Sequence, residues 1–132
     1  MKTQTEEIII ELPFALPSLN DWMDWHYHKR KDFRNTLAWE IRATYGRVKH
    51  KPIQLSEVTV TRYGVKELDW VNLYGSFKSC EDTLIVSSKR NPSGLGIIQD
   101  DSPKHVKALT ITQKVVKQGE QRTIISIQPL DG

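Results

Sequence analysis

The sequence predicts an α+β fold: a single domain whose mixed or largely antiparallel sheet carries two main helices. Three observations lead there. Four short segments, 7–12, 53–63, 109–117 and 122–129, are rich in β-branched residues or alternate in polarity. Two longer segments, 29–46 and 72–86, repeat apolar residues every three or four positions. The two kinds of segment interleave, one helix following each of the first two strands and two strands closing the chain. A length of 132 residues supplies one hydrophobic core.

Taken in order, residues 7–12 are too short and too isoleucine-rich for a helix, and Pro13 bounds them. Residues 13–20 hold two prolines, Ser18 and Asn20, which read as a loop with defined turns. Trp22, Trp25 and Tyr27 follow. Such a cluster either covers a core edge or a dimer surface, or stacks on unpaired bases at about 1–3 kcal/mol per base. In the helix expected at 29–46, Phe33, Leu37, Ile41 and Tyr45 step by four, and Gly46 is a stop. Its other faces are basic. Between residues 28 and 51, eight Lys/Arg face Asp32 and Glu40, a local charge of +6 against +3 for the whole chain. Lys29, Arg30, Lys31 and Arg34 are therefore candidates for phosphate contact.

Residues 53–63 read as a strand, with Val58 and Val60 on one face and Thr59 and Thr61 on the other. The helix expected at 72–86 carries the stripe Leu73, Phe77, Cys80, Leu84, with Lys78 and Asp82 four apart on a different face. Residues 87–96 have the composition of a mobile loop, from which Lys89 and Arg90 can reach a nucleic-acid backbone. Ser102-Pro103 is a helical-turn start. The last two strands are expected to form a hairpin through Gln118-Gly119-Glu120. The tail, 130–132, carries no signal.

Composition narrows the class. The lone Cys80 rules out a disulfide within the chain and suits a reducing compartment. No apolar run approaches the roughly 20 residues of a membrane span, and the N-terminus lacks the pattern of a signal peptide. The expectation is a soluble, cytoplasmic protein with no membrane partner. A pI near 9.0 is a weak pointer to polyanions. No Ser/His/Asp, Cys/His zinc, Walker or Rossmann pattern competes, and the four histidines lack ligand spacing.

What remains is acidic. Asp69 precedes the second helix, Lys78 lies within it, and Asp100-Asp101 follow the loop. Carboxylates converging from separate elements suit a hard cation such as Mg²⁺, which prefers oxygen ligands. A lysine beside them adds positive charge where negative charge develops.

The string Asp69-Trp70-Val71-Asn72-Leu73, then Lys78, Asp82 and Leu84, then Gly96-Ile97-Ile98-Gln99-Asp100-Asp101-Ser102 resembles the RusA family of Holliday junction resolvases, small phage and bacterial endonucleases of DNA recombination and repair. The Leu16-Pro17-Ser18-Leu19-Asn20 stretch is similar to that family's N-terminal segment, so the resemblance spans most of the chain. It implies a homodimer, a four-way DNA junction as substrate, and paired nicking that depends on Mg²⁺, with Mn²⁺ as an alternative. It further implies Asp69 and Asp101, with Asp100, as metal ligands, Lys78 as transition-state support, and Asn72 and Asp82 in supporting roles.

One position departs. The family has a metal-binding aspartate where this chain has Val71. A valine cannot coordinate a cation. Three accounts stand: a junction-binding protein without catalysis, replacement of the pair by Glu67 and Asp69, or a weaker site from Asp69, Asp100 and Asp101. On the lost-ligand account, Val71→Asp should raise Mg²⁺-dependent nicking of a synthetic four-way junction; an unchanged rate rejects that account.

Overall fold

Alternating polarity builds the sheet. In β1 (Ile8–Leu12) Ile8, Ile10 and Leu12 point inward, and in β4 (Arg122–Pro129) Thr123, Ile125 and Ile127 do the same. β2 (Ser56–Gly64) adds Val58 and Val60, and β3 (Val106–Val115) adds Val106 and Ile111. The structure is a computed structural model that describes residues 1–130; the last two tail residues lie outside it. The strand order is β1-β4-β2-β3, with β4 antiparallel to both β1 and β2, and β3 parallel to β2. The sheet is therefore mixed, as the sequence led one to expect.

The expected hairpin does not form. β3 and β4 are consecutive in the chain but lie on opposite sides of β2. Six residues, 116–121, separate them. A tight hairpin needs two to five, whereas six suffice to step over one intervening strand, a span of about 10 Å. Gly119, at φ +93°, supplies the turn within this crossing.

Two further helices depart from the sequence reading. The end of the expected loop, Leu19 and Asn20, joins residues 21–24, which had no assigned element, in α1 (Leu19–Asp24), capped by the Ser18 side chain, which accepts from the Asp21 N–H at 3.1 Å. The long basic helix is α2 (Tyr27–Tyr45). Its Leu37, Ala38 and Ile41 are buried against the sheet, as their spacing predicted. The single helix expected at 72–86 is two: α3 (Trp70–Gly75) and α4 (Lys78–Leu84). Ser76 and Ser79 donate their hydroxyls to carbonyls three residues back, at 2.5 and 2.8 Å. Such back-bonding bends a helix. Both residues at the break keep helical dihedrals, so Leu73, Phe77, Cys80 and Leu84 still share one buried stripe.

Gly75 sits at the break for a packing reason. A Cβ there would lie 2.5 Å from the Leu19 Cβ, so only glycine lets α3 approach α1 this closely. Gly75→Ala should destabilise the fold by about 1–3 kcal/mol through overpacking. An unchanged urea midpoint would contradict this packing account.

Candidate functional site

Asp69 is the N-cap of α3. Its carboxylate accepts from the Asn72 N–H at 2.9 Å and from the Asn72 side-chain amide at 3.0 Å. Those bonds hold its pKa below the ordinary carboxylate value. The same Asn72 side chain turns its oxygen to the Asn20 N–H at 2.9 Å, tying α3 to α1. Asn72 thus orients the aspartate and joins two helices. Val71, two residues after Asp69, is 71% exposed. Core packing places no demand on it.

The acidic pair is positioned by the end of α4. The last carbonyls of a helix need donors from elsewhere. Here the returning chain supplies them. Leu95 donates to the Thr83 carbonyl at 2.9 Å, Gly96 to Ile85 at 3.0 Å, and Ile97 and Ile98 both to Leu84 at 3.0 and 3.1 Å. Gly96 takes φ +73°, which permits the reversal. Ile97 and Ile98 are fully buried there, and their segment is also bonded to Ile53 on its other side. The chain emerging from this anchorage is Asp100-Asp101-Ser102.

The two aspartates have different surroundings. Asp100 bonds within its own turn. The Asp101 N–H, then the Asp101 side chain, the Ser102 hydroxyl and the charge of His105 hold its pKa below the usual value. Asp101 lies close enough to Glu81 on α4 for the two carboxyl groups to act on one another. Half-burial and the charges of Asp101 and Asp82 push the Glu81 carboxyl up to about 8, with Lys78 opposing the rise. Glu81 therefore keeps its proton to higher pH than an ordinary carboxyl, beside Asp101 and a lysine.

Glu81 is the residue the sequence reading missed. Its signal was there: Lys78 and Glu81 are spaced i, i+3 and so share a helix face. The structure joins Lys78, Glu81 and Asp101, with Asp82 adjacent. Asp69 makes no hydrogen bond or ion pair with Asp100 or Asp101 among the described residues. Nor, among those residues, are three His, Cys, Asp or Glu gathered closely enough to hold a metal ion. Glu67 is exposed at the approach to α3.

Of the basic candidates, Arg30 has a structural task. Its guanidinium donates to the Trp22 and Met23 carbonyls at 2.8 and 2.9 Å, closing the end of α1. Lys29 lies 4.4 Å from the Trp25 ring centre. Lys31, Arg34 and Arg90 border one groove between α2 and the loop after α4, and Lys89 is exposed on that loop. The loop is tied down: Asn91 donates to the Asp82 carbonyl at 2.7 Å. Arg34 pairs with Asp82 at 4.0 Å. Trp22 and Trp25 pack edge-on against Phe33, with ring centres 5.9 and 5.5 Å away, so they finish the core edge. Tyr27 is 64% exposed. Among the histidines, His26 caps α2 and His50 is buried. No described helix is long and apolar enough to cross a membrane. No protein-family model matches the chain, and a search of curated proteins found no match.

A raised carboxyl pKa binds its proton more tightly folded than unfolded. Stability from it is full below the unfolded value near 4.5 and is lost as pH rises through about 8. Thermal melts from pH 5 to 9 should show this decline, and Glu81→Gln should flatten it. An equal decline in both proteins would contradict this account of Glu81.

Proposed function

We propose that the chain is a Mg²⁺-dependent, structure-selective endonuclease of the RusA type, a cytoplasmic homodimer that nicks four-way DNA junctions. The observation that carries this reading is that residues 95–98, bonded back to the end of α4, bring Asp101 beside Glu81, Lys78 and Asp82 of that helix. Half-buried and close to the Asp101 and Asp82 charges, the Glu81 carboxyl retains a proton that Lys78 only partly offsets. A divalent cation can replace that proton. Mg²⁺ sites commonly use only one or two carboxylates, waters and substrate phosphate completing the shell.

The residues divide the work as follows. Glu81 and Asp101 would hold the cation, and Asp100 and Asp82 add negative potential around it. Bound there, Mg²⁺ would polarise a phosphoryl oxygen and lower the pKa of a coordinated water. Lys78 opposes the carboxylate charge when no substrate is bound, and it is placed to meet the charge that builds on the phosphate. Asp69 and Asn72 support the approach by fixing α3 against α1. The basic face of α2 supplies backbone contact.

A second reading has its own observation. Asp69 is spent as a helix cap and Val71 is an exposed apolar residue, so the family's aspartate pair is absent. That favours a junction-binding protein on the same fold without cleavage.

Wild-type protein with Mg²⁺ should give paired symmetric nicks in a four-way junction. Glu81→Gln or Asp101→Asn should lower the rate by at least about 100-fold, in the range of a lost metal-assisted step. The Mg²⁺-induced rise in melting temperature should disappear with it. Tight, salt-sensitive junction binding with no nicks in Mg²⁺ or Mn²⁺ selects the second reading.

A further inference from the structure

One stripe of α2, running from the flank of its buried face out to the open side, is unusual for a solvated helix. Tyr27, Lys31, Asn35, Trp39 and Arg42 recur at steps of four, four, four and three, so they form one continuous row about 22 Å long. Trp39 is 66% exposed and Tyr27 64%. Trp39 stands two residues, about 200° of helical turn, from Leu37 in the core. Core packing gives no account of an indole there.

This row is one wall of a groove of about 510 Å³; the other wall is the loop from Arg90 to Ser93. The loop wall is held by the Asn91 bond to Asp82 and by the turn in which Ser88 and Asn91 exchange backbone bonds at 3.0 and 3.1 Å. Four cations, Lys31, Arg34, Arg42 and Arg90, line the groove against one acid, Asp82. Arg34 answers that acid. Among the described residues, Lys31, Arg42 and Arg90 pair with no carboxylate.

Unpaired cations set between exposed aromatic faces are what an unpaired polynucleotide strand requires. Its phosphates need positive charge, and its bases need flat apolar surfaces whatever their sequence. Duplex DNA hides its base faces and would leave Trp39 unused.

We propose that this groove seats a single-stranded DNA segment, with Trp39 and Tyr27 stacking on its bases and Lys31, Arg42 and Arg90 meeting its phosphates. It deepens the DNA-binding reading above by naming an unpaired strand as what this face recognises, and it does not depend on cleavage. Asp82 borders both the groove and the Glu81–Asp101 pair, so a strand lying here passes beside the candidate site.

The test is fluorescence anisotropy of a labelled oligo(dT) of about 12 nucleotides, in EDTA, with an abasic oligonucleotide of the same length beside it. Wild type should bind oligo(dT) more tightly than the abasic strand. Trp39→Ala should weaken oligo(dT) binding roughly five- to hundred-fold while bringing it close to the abasic affinity. Trp39→Phe, which keeps a stacking face, should restore most of it, and Arg42→Gln should weaken both strands. Equal binding of the two strands by wild type, or a Trp39→Ala affinity within about two-fold of wild type, overturns the proposal. So does a Trp39→Ala protein that binds DNA normally but loses self-association in sedimentation, since the row then belongs to a protein contact. Because no metal is present, failure to nick a junction leaves this result standing, and failure to bind oligo(dT) leaves the nicking test intact.

Discussion

The arrangement of the candidate site depends on how α4 ends. A helix leaves its last carbonyls without donors, and here residues 95–98 return to supply them. The return is held on one side by Thr83, Leu84 and Ile85 and on the other by Ile53. Ile97 and Ile98 are buried within it, so hydrogen bonding and apolar burial act on the same residues. That anchorage fixes where Asp100 and Asp101 emerge, next to the helix that carries Lys78 and Glu81. The loop between needs only to close, and Asn91 closes it.

This placement stores electrostatic tension. Glu81, half-buried beside the charges of Asp101 and Asp82, keeps a proton that an exposed carboxyl would release at much lower pH. Lys78 relieves part of the repulsion and Asp82 adds to it. An arrangement of that kind costs stability near neutral pH, and it persists because the backbone around it is bound on both sides. Groups held against their own repulsion are common where a cation or a charged substrate belongs. The basic groove lies across Asp82 from this pair, so negative and positive potentials meet along one edge of α4.

Much of the fold was legible. The stripes Leu37–Ile41 and Leu73–Phe77–Cys80–Leu84 go to the core because helical period and burial are local facts. The inward isoleucines of β1 and β4 follow from alternation. What failed was connection. Gly119 signals a turn, but a turn residue says nothing about whether the strands it joins become neighbours. β2 entered between them, pairing with β4 on one side and β3 on the other. The split of α3 from α4 turned on serine hydroxyls choosing backbone carbonyls, and on Gly75 meeting Leu19 from 56 positions away.

For the site, the sequence alone determined the inventory: an acidic string with a lysine, a basic helix, and a valine where a ligand would be expected. Residue identity and spacing along one helix are local, so they can be read directly. The tertiary structure decided the pairing. Asp69 went to a helix cap, because a free N–H lay three residues away. Asp101 went to Glu81, twenty positions back, because the chain between them returns to α4. Trp22 and Trp25 went to the core edge, while Trp39 stayed in the open. Which carboxylate meets which, and which aromatic is left exposed, are set by contacts between distant segments, and no local pattern encodes them.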